Sequence, residues 1–244
     1  MTRRIFLFIS LILGSVLALT SCVDGNNKST YLSYGVANYN STMGATLITE
    51  IGEFAAPGTG SKVTPGDCVI AQYTIDQDNQ PSTDYFTATE ISMLEVNQFP
   101  IVLREIVEDD PQFDVEFISV VPYYIPAFRG KAFFEIAYAG YLKKTYQYSL
   151  TCDPETLDAD GNFVFYLRAR VSGEDSGSES FVADTFVFDI SSLISSYGAD
   201  AADDSNNSYR YVSAQIKYCN GISESGEYTY KNVFTAPAKF IIYQ

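Results

Sequence analysis

Gly66-Asp-Cys-Val-Ile-Ala-Gln-Tyr-Thr-Ile75 sets Val69, Ala71, Tyr73 and Ile75 on one side of an extended chain. Cys68, Ile70, Gln72 and Thr74 fall on the other, because successive side chains of a strand alternate. One face is apolar and the other only half polar, so the segment reads as a strand with a core on one side. Polar turn residues, Asp76-Gln-Asp-Asn-Gln-Pro-Ser-Thr83, follow it, and Asp84 to Val96 is the expected returning strand. Ahead of it, Tyr31 to Tyr39 and Met43 to Phe54 carry the same β-branched and aromatic content, and the loop from Ala55 to Ser61 precedes the quoted stretch.

The pattern continues beyond Gly130. Ala132 to Tyr141, Lys144 to Cys152, Phe163 to Val171, Phe181 to Ile190, Tyr209 to Cys219 and Phe234 to Tyr243 all predict strands. Asp158-Ala-Asp-Gly-Asn162 is a hairpin turn, while Gly173 to Ser180 and Gly198 to Ser208 are polar loops. Only Ser191 to Tyr197 suits a helical turn, since no longer stretch keeps a 3.6-residue period. The chain is all-β, and its short strands and frequent turns predict sandwich or barrel architecture. Two prolines bracket the connector Pro122-Tyr-Tyr-Ile-Pro-Ala-Phe-Arg-Gly130, so a domain break is expected near 125, between domains 31–125 and 126–244.

Met1-Thr-Arg-Arg4 leads into the apolar run Ile5 to Leu19, too short to span a bilayer comfortably and ending at Leu19-Thr-Ser-Cys22. A basic head, a short apolar run and small residues make a secretory signal peptide over 1–21. The cysteine after Leu and two small residues resembles the lipobox of bacterial lipoproteins, which implies a lipid on Cys22 once the leader is removed. Residues 22–30 then form a polar tether, and its eight residues from Val23 to Thr30 reach at most about 29 Å. The expected location is the outer membrane, anchored through lipid, with the face of anchoring left open.

The 244 residues carry 15 basic and 30 acidic side chains. Loss of the leader removes two basic residues and no acidic one, which leaves a formal charge of −17. Such a surface repels phosphate backbones, so nucleic acid is not an expected partner. Histidine is absent, which excludes Ser-His-Asp and Cys-His catalysis in their usual forms and the commonest zinc ligand. No Gly-rich phosphate loop or nucleophile motif is visible. The expectation is a protein without catalytic residues, metal or cofactor. With Cys22 assigned to lipid, Cys68, Cys152 and Cys219 remain, as buried thiols or with one bridge between Cys152 and Cys219.

Several of these features together resemble the NigD-like lipoproteins of Bacteroidota. They are the lipobox at Cys22, the early strand, Pro65 to Ile75 with its returning strand, Asp158 to Arg168 and Thr185-Phe-Val-Phe-Asp-Ile-Ser-Ser-Leu193. The first half departs from that pattern in lacking tryptophan. The resemblance implies an N-terminal OB-like β-barrel followed by a C-terminal β-sandwich, and it brings no catalytic residues with it.

Candidate sites are few. Asp158-x-Asp160-Gly-Asn162 has the alternating oxygens of a calcium loop but lacks the later glutamate, so a turn explains it better. Asp200 to Ser208 is a solvated acidic loop. Glu105, Glu108, Asp109 and Asp110 would serve glycoside hydrolysis only at a carboxylate spacing that a sequence does not reveal. Tyrosines recur at i, i+2 in Tyr146/Tyr148, Tyr209/Tyr211 and Tyr228/Tyr230, each pair on one strand face. They are the candidate binding surface, set against plain cross-strand packing. The first reading is a lipid-anchored envelope protein presenting two β domains to an envelope protein or glycan. The alternatives are a carbohydrate-binding accessory lipoprotein of a glycan-uptake system and a pilus-type subunit.

Overall fold

The computed structural model describes residues 27–60, 62–106, 117–120, 127–141, 144–173, 179–202 and 208–243. The expected signal peptide, Cys22, most of the expected tether, the carboxylates 108–110 and residues 122–126 of the proline-bracketed connector lie outside them. The chain divides into two compact units, one ending at Val96 and the other beginning at Asn97.

In the first unit β1 (Lys28–Asn40), β2 (Gly44–Thr49), β3 (Gly52–Ala55), β4 (Cys68–Asp76) and β5 (Ala88–Glu95) form one sheet in the order β3-β2-β1-β4-β5. All neighbours run antiparallel. The expected tether is shorter than its sequence suggests. β1 begins at Lys28, which pairs with Asp76 in the ladder and ion-pairs with its carboxylate at 3.2 Å. The single strand expected from Met43 to Phe54 is a hairpin, turned at Gly52 with φ +114°, a conformation that glycine adopts without steric cost.

Val69, Ala71, Tyr73 and Ile75 do share a core face, buried with Leu47, Phe54 and Ala88. Tyr73 packs between Tyr31 at 5.4 Å and Phe54 at 4.5 Å, and its hydroxyl accepts from Ser33 Oγ at 3.1 Å. Aromatic side chains of this size bring the largest apolar area to a small core.

The sheet does not close into a barrel. Its two edges meet at one parallel bridge, Ala55 with Thr87, where the Ala55 N–H donates to Phe86 O at 2.9 Å. The reason is local. β3 has only four residues, and the chain before β5 is tied into a turn by Gln80, which accepts from the Thr87 N–H and donates to Asp76 O, both at 2.6 Å.

The second unit contains β6 (Asn97–Pro100), β7 (Val102–Leu103), β8 (Phe117–Val120), β9 (Ala127–Phe128), β10 (Lys131–Tyr141), β11 (Thr145–Leu157), β12 (Phe163–Ser172) and β13 (Glu179–Asp189). The helix α1 (Ser191–Tyr197), β14 (Ala199–Ala202), β15 (Ser208–Ile222), β16 (Tyr228–Asn232) and β17 (Ala238–Tyr243) complete it. One sheet runs β6-β13-β10-β8 with β9 also on β10. The other runs β14-β15-β12-β11-β7, with β16 and β17 also on β15. Their facing sides build a single core, Phe134, Ile136, Phe186 and Phe188 from one sheet with Leu150, Phe165, Leu167, Ile216 and Phe240 from the other.

The unit boundary lies earlier than 125 because the residues after Val96 hydrogen-bond into this second core. β6 pairs in parallel with β13 and β7 with β11. The helical turn expected at Ser191 to Tyr197 is present and buries Leu193 and Ile194. It sits so close to Gly130 that a Cβ there would lie 2.8 Å from Ser191 Cβ. Arg210 donates to Gly198 O at 2.6 Å and to Ser195 O, satisfying carbonyls at the helix end.

Candidate functional site

Alternation along each strand decides where the tyrosine pairs point. On β11, Tyr146, Tyr148, Leu150 and Cys152 share a parity and face the core. Tyr148 is 6% exposed, stacks on Phe186 at 4.2 Å and donates to Asp184 Oδ2 at 2.9 Å. Its proton being committed there, the 2.8 Å contact with Tyr138 has the Tyr138 hydroxyl as donor. Burial first, and then these two partners, pushes the Tyr148 hydroxyl far above the ordinary tyrosine range; burial likewise lifts Tyr138 to about 12. Tyr146 packs on Tyr138 at 4.6 Å. This pair is core, and it leaves the candidate surface.

The other two pairs stand on the outward side of the seven-stranded sheet. On β15, Val212, Ala214 and Ile216 point into the core, so Tyr209, Tyr211, Ser213, Gln215 and Lys217 point outward. Tyr209 and Tyr211 are half-buried, with ring centroids 5.9 Å apart. Lys239 on β17 places its ammonium 3.9 Å from the Tyr211 centroid and 5.9 Å from that of Tyr209. On β16, Tyr228 and Tyr230 stack at 6.5 Å. Tyr230 meets Tyr166 of β12 edge-on at 5.3 Å. Arg168 lies over both Tyr166 and Tyr230, and Lys217 over Tyr166 at 5.3 Å. Sequence reasoning found the two tyrosine pairs but missed Tyr166 and the cations between them. Their signal was the outward parity of Tyr166, Arg168 and Arg170 against inward Phe165, Leu167 and Ala169.

The arrangement is thus a set of tyrosine rings with Arg168, Lys217 and Lys239 set against them, on a chain of formal charge −15. A cation over an aromatic face is attracted by the ring quadrupole, by about 0.5–1 kcal/mol where exposed and more where desolvated. Tyr166 and Arg168 are 5% and 3% exposed, so this end is packed, while Tyr209, Tyr211 and Tyr228 keep part of their rings in solvent.

The remaining candidates resolve as follows. Asp158 accepts from the N–H groups of Asp160 and Asn162 and from the Asn162 side chain. These bonds, from Asn162 first, hold its carboxyl below the usual range, and its oxygens serve the turn. Asp200 pairs with Arg210 Nε at 3.1 Å, and 203–207 lie outside the described residues. Glu105 is exposed, and its three acidic companions are not described. Among the described residues no group of three metal-ligating side chains converges. Cys68, Cys152 and Cys219 are buried thiols rather than halves of a bridge. Burial pushes the Cys152 thiol up to about 12, which keeps it protonated and unreactive. No helix among the described residues is long and apolar enough to cross a membrane.

No protein-family model matches the sequence, and no curated protein does. Solved structures do match in fold. An uncharacterised protein from Parabacteroides merdae superposes with a TM-score of 0.63 at 15% identity, covering 87% of this chain and 98% of its own. A candidate lipoprotein from Bacteroides fragilis gives 0.53 at 13% identity over 88% and 97%. A NigD-like immunity protein from Bacteroides caccae gives 0.47 at 14% identity over 83% and 91%. The chain is therefore similar in fold, across most of its length, to solved proteins of Parabacteroides and Bacteroides, and a NigD-like protein is among the matches.

Proposed function

We propose that the chain is a non-catalytic envelope protein, anchored to the outer membrane by fatty acid on Cys22, that presents the outward face of its seven-stranded sheet to a protein partner. The finer architecture belongs to the same reading. The order β3-β2-β1-β4-β5 with an edge-to-edge parallel bridge supports reading the first unit as an OB-like, incompletely closed barrel. Two sheets over one core support reading the second as a sandwich. The candidate lipoprotein among the fold matches supports the envelope location.

One observation carries the choice of a protein partner. Lysine and arginine already sit against the rings of Tyr166, Tyr209, Tyr211 and Tyr230. Sugar stacking needs an open ring face, whereas tyrosine beside arginine is the usual composition of protein interfaces. The glycan-binding reading keeps Tyr228 as its candidate ring, since part of that side chain stays in solvent. A photo-crosslinking residue at Tyr228 or Tyr211 in cells should capture a discrete envelope protein, and one at Tyr39, 66% exposed in the first unit, should not. Equal capture at all three positions would contradict the reading. Saturable binding on a glycan array, abolished by Tyr228→Ala, would favour the accessory glycan-binding alternative.

A further inference from the structure

Between Pro100 and Val102 the chain leaves one sheet of the second unit and joins the other, and it joins β11 late. Val102 and Leu103 pair with Thr151 and Cys152. From Thr145 to Leu150, β11 pairs with β12 on one side and with no strand among the described residues on the other. Cys152 shows which main-chain groups face that second side, because its carbonyl accepts from the Arg104 N–H at 2.9 Å, away from β12. In an antiparallel ladder every second residue turns both its N–H and its C=O to the partner strand, and the residues between turn both away. The register with β12 is unbroken from Thr145 to Cys152. Tyr148 and Leu150, which share the parity of Cys152, therefore direct main-chain groups into the lane that β7 fills only from Thr151 onward.

A cleft of about 270 Å³ lies along this edge. Tyr148 lines it from the core face of β11, and Gln147, Ser149 and Thr151 line it from the outward face. Side chains on opposite faces of a strand border one space only around the strand's edge. The cleft is thus the vacant part of the lane, ahead of β7. Phe99 lines it from the other sheet, with its ring 6.2 Å from that of Tyr148. One side of the lane is aromatic and the other carries hydroxyl and amide groups.

The polar side has an unusual feature. Thr151 is 1% exposed, yet neither its hydroxyl nor the buried hydroxyl of Ser149 has a hydrogen-bond partner among the described residues. Buried polar atoms are nearly always satisfied, so this side of the lane calls for hydrogen-bonding groups. An uncovered sheet edge is a template for another chain. Peptides that add to such edges draw affinity from main-chain bonds and specificity from alternate side chains. Here the main-chain groups, the aromatic side and the unpaired hydroxyls all border one lane, in line with a strand that already pairs there.

We propose that a partner protein adds an extended segment to β11 in this lane, ahead of β7. Its apolar side chains turn to Tyr148 and Phe99, and its serine, threonine or amide side chains turn to Ser149 and Thr151. The site does not rest on the tyrosine face, whose rings stand on β12, β15 and β16.

The test uses the full mature chain, kept in solution by Cys22→Ser, and a panel of short capped peptides that alternate valine, leucine or phenylalanine with threonine or serine. Amide hydrogen exchange reads the lane directly. At millimolar concentration at least one peptide should slow exchange at Tyr148 and Leu150 by about tenfold or more, while Gln147 and Ser149, already bonded to β12, change little. Methylating the peptide's main-chain nitrogens separates an edge strand from any other mode of binding. One alternate set of its N–H groups faces β11 and the other faces away, so methylating the first should abolish the protection and methylating the second should leave it. Thr151→Val should weaken the same peptide several-fold without lowering the melting temperature. No protection by any peptide, an equal effect of the two methylated forms, or full affinity in Thr151→Val would overturn the proposal. Protection of Tyr148 that rises with protein concentration, without peptide, would assign the lane to a second copy of this chain and overturn it equally.

Discussion

Tyr148 and Asp189 show how single polar groups are held inside an otherwise apolar unit. Tyr148→Phe keeps the stack on Phe186 but removes the donor to Asp184 and the acceptor for Tyr138. The variant should lose about 1–3 kcal/mol, the cost of leaving buried partners unsatisfied, as read from denaturant midpoints. Asp189 joins Lys131 at 2.7 Å and accepts from the Ser191 N–H at 3.0 Å. Burial works to raise its pKa, but the bonds from Lys131 and Ser191 prevail and hold it below the ordinary value. A carboxyl lowered in the folded state stabilises fully above its unfolded pKa, about 3.9, and loses that contribution as pH falls through the folded value. Asp189→Asn should therefore be less stable than the natural chain at neutral pH. The gap should close in acid, below the usual carboxylate range, in melts taken across pH.

Single strands show what alternation reveals and what it hides. On β4 the inward set Val69, Ala71, Tyr73 and Ile75 was legible because a strand repeats every two residues. The same rule, carried through β11, separates Tyr146 and Tyr148 from the outward Gln147, Ser149 and Thr151. Tyrosine spacing alone is silent about which face is covered; the parity of the neighbouring Leu150 and Cys152 supplies it. β6, β7 and β14 have two to four residues each, too few to show a period, and two of them pair in parallel with strands distant in sequence. That is why the proline-bracketed connector, rather than Val96/Asn97, stood out as the boundary. Gly130 belongs to the same scale. At φ +76°, with Ser191 Cβ 2.8 Å from the position of an added Cβ, Gly130→Ala should cost about 1–3 kcal/mol from the strained backbone alone. A thermal melt unchanged by that substitution would mean that α1 packs elsewhere.

At the scale of the whole molecule, the division at 96/97 and the leader make separate claims. A fragment of residues 97–244 retains β6 and β7 and should fold cooperatively, whereas 126–244 lacks both and exposes the edges of β13 and β11. Circular dichroism melts and amide exchange of the two fragments would separate them; equal cooperativity would place the boundary near 125 after all. Both units lie downstream of the basic, apolar and small-residue segment proposed as a leader, and the proposed role as an anchored binding protein depends on what happens at Cys22. Stable attachment takes more than one acyl chain, at about 0.8 kcal/mol per buried methylene. The most direct measurement is metabolic fatty-acid labelling with membrane fractionation of the natural chain beside Cys22→Ala. The account predicts label and membrane association in the first and neither in the second. Membrane association and labelling that persist unchanged in Cys22→Ala would contradict it.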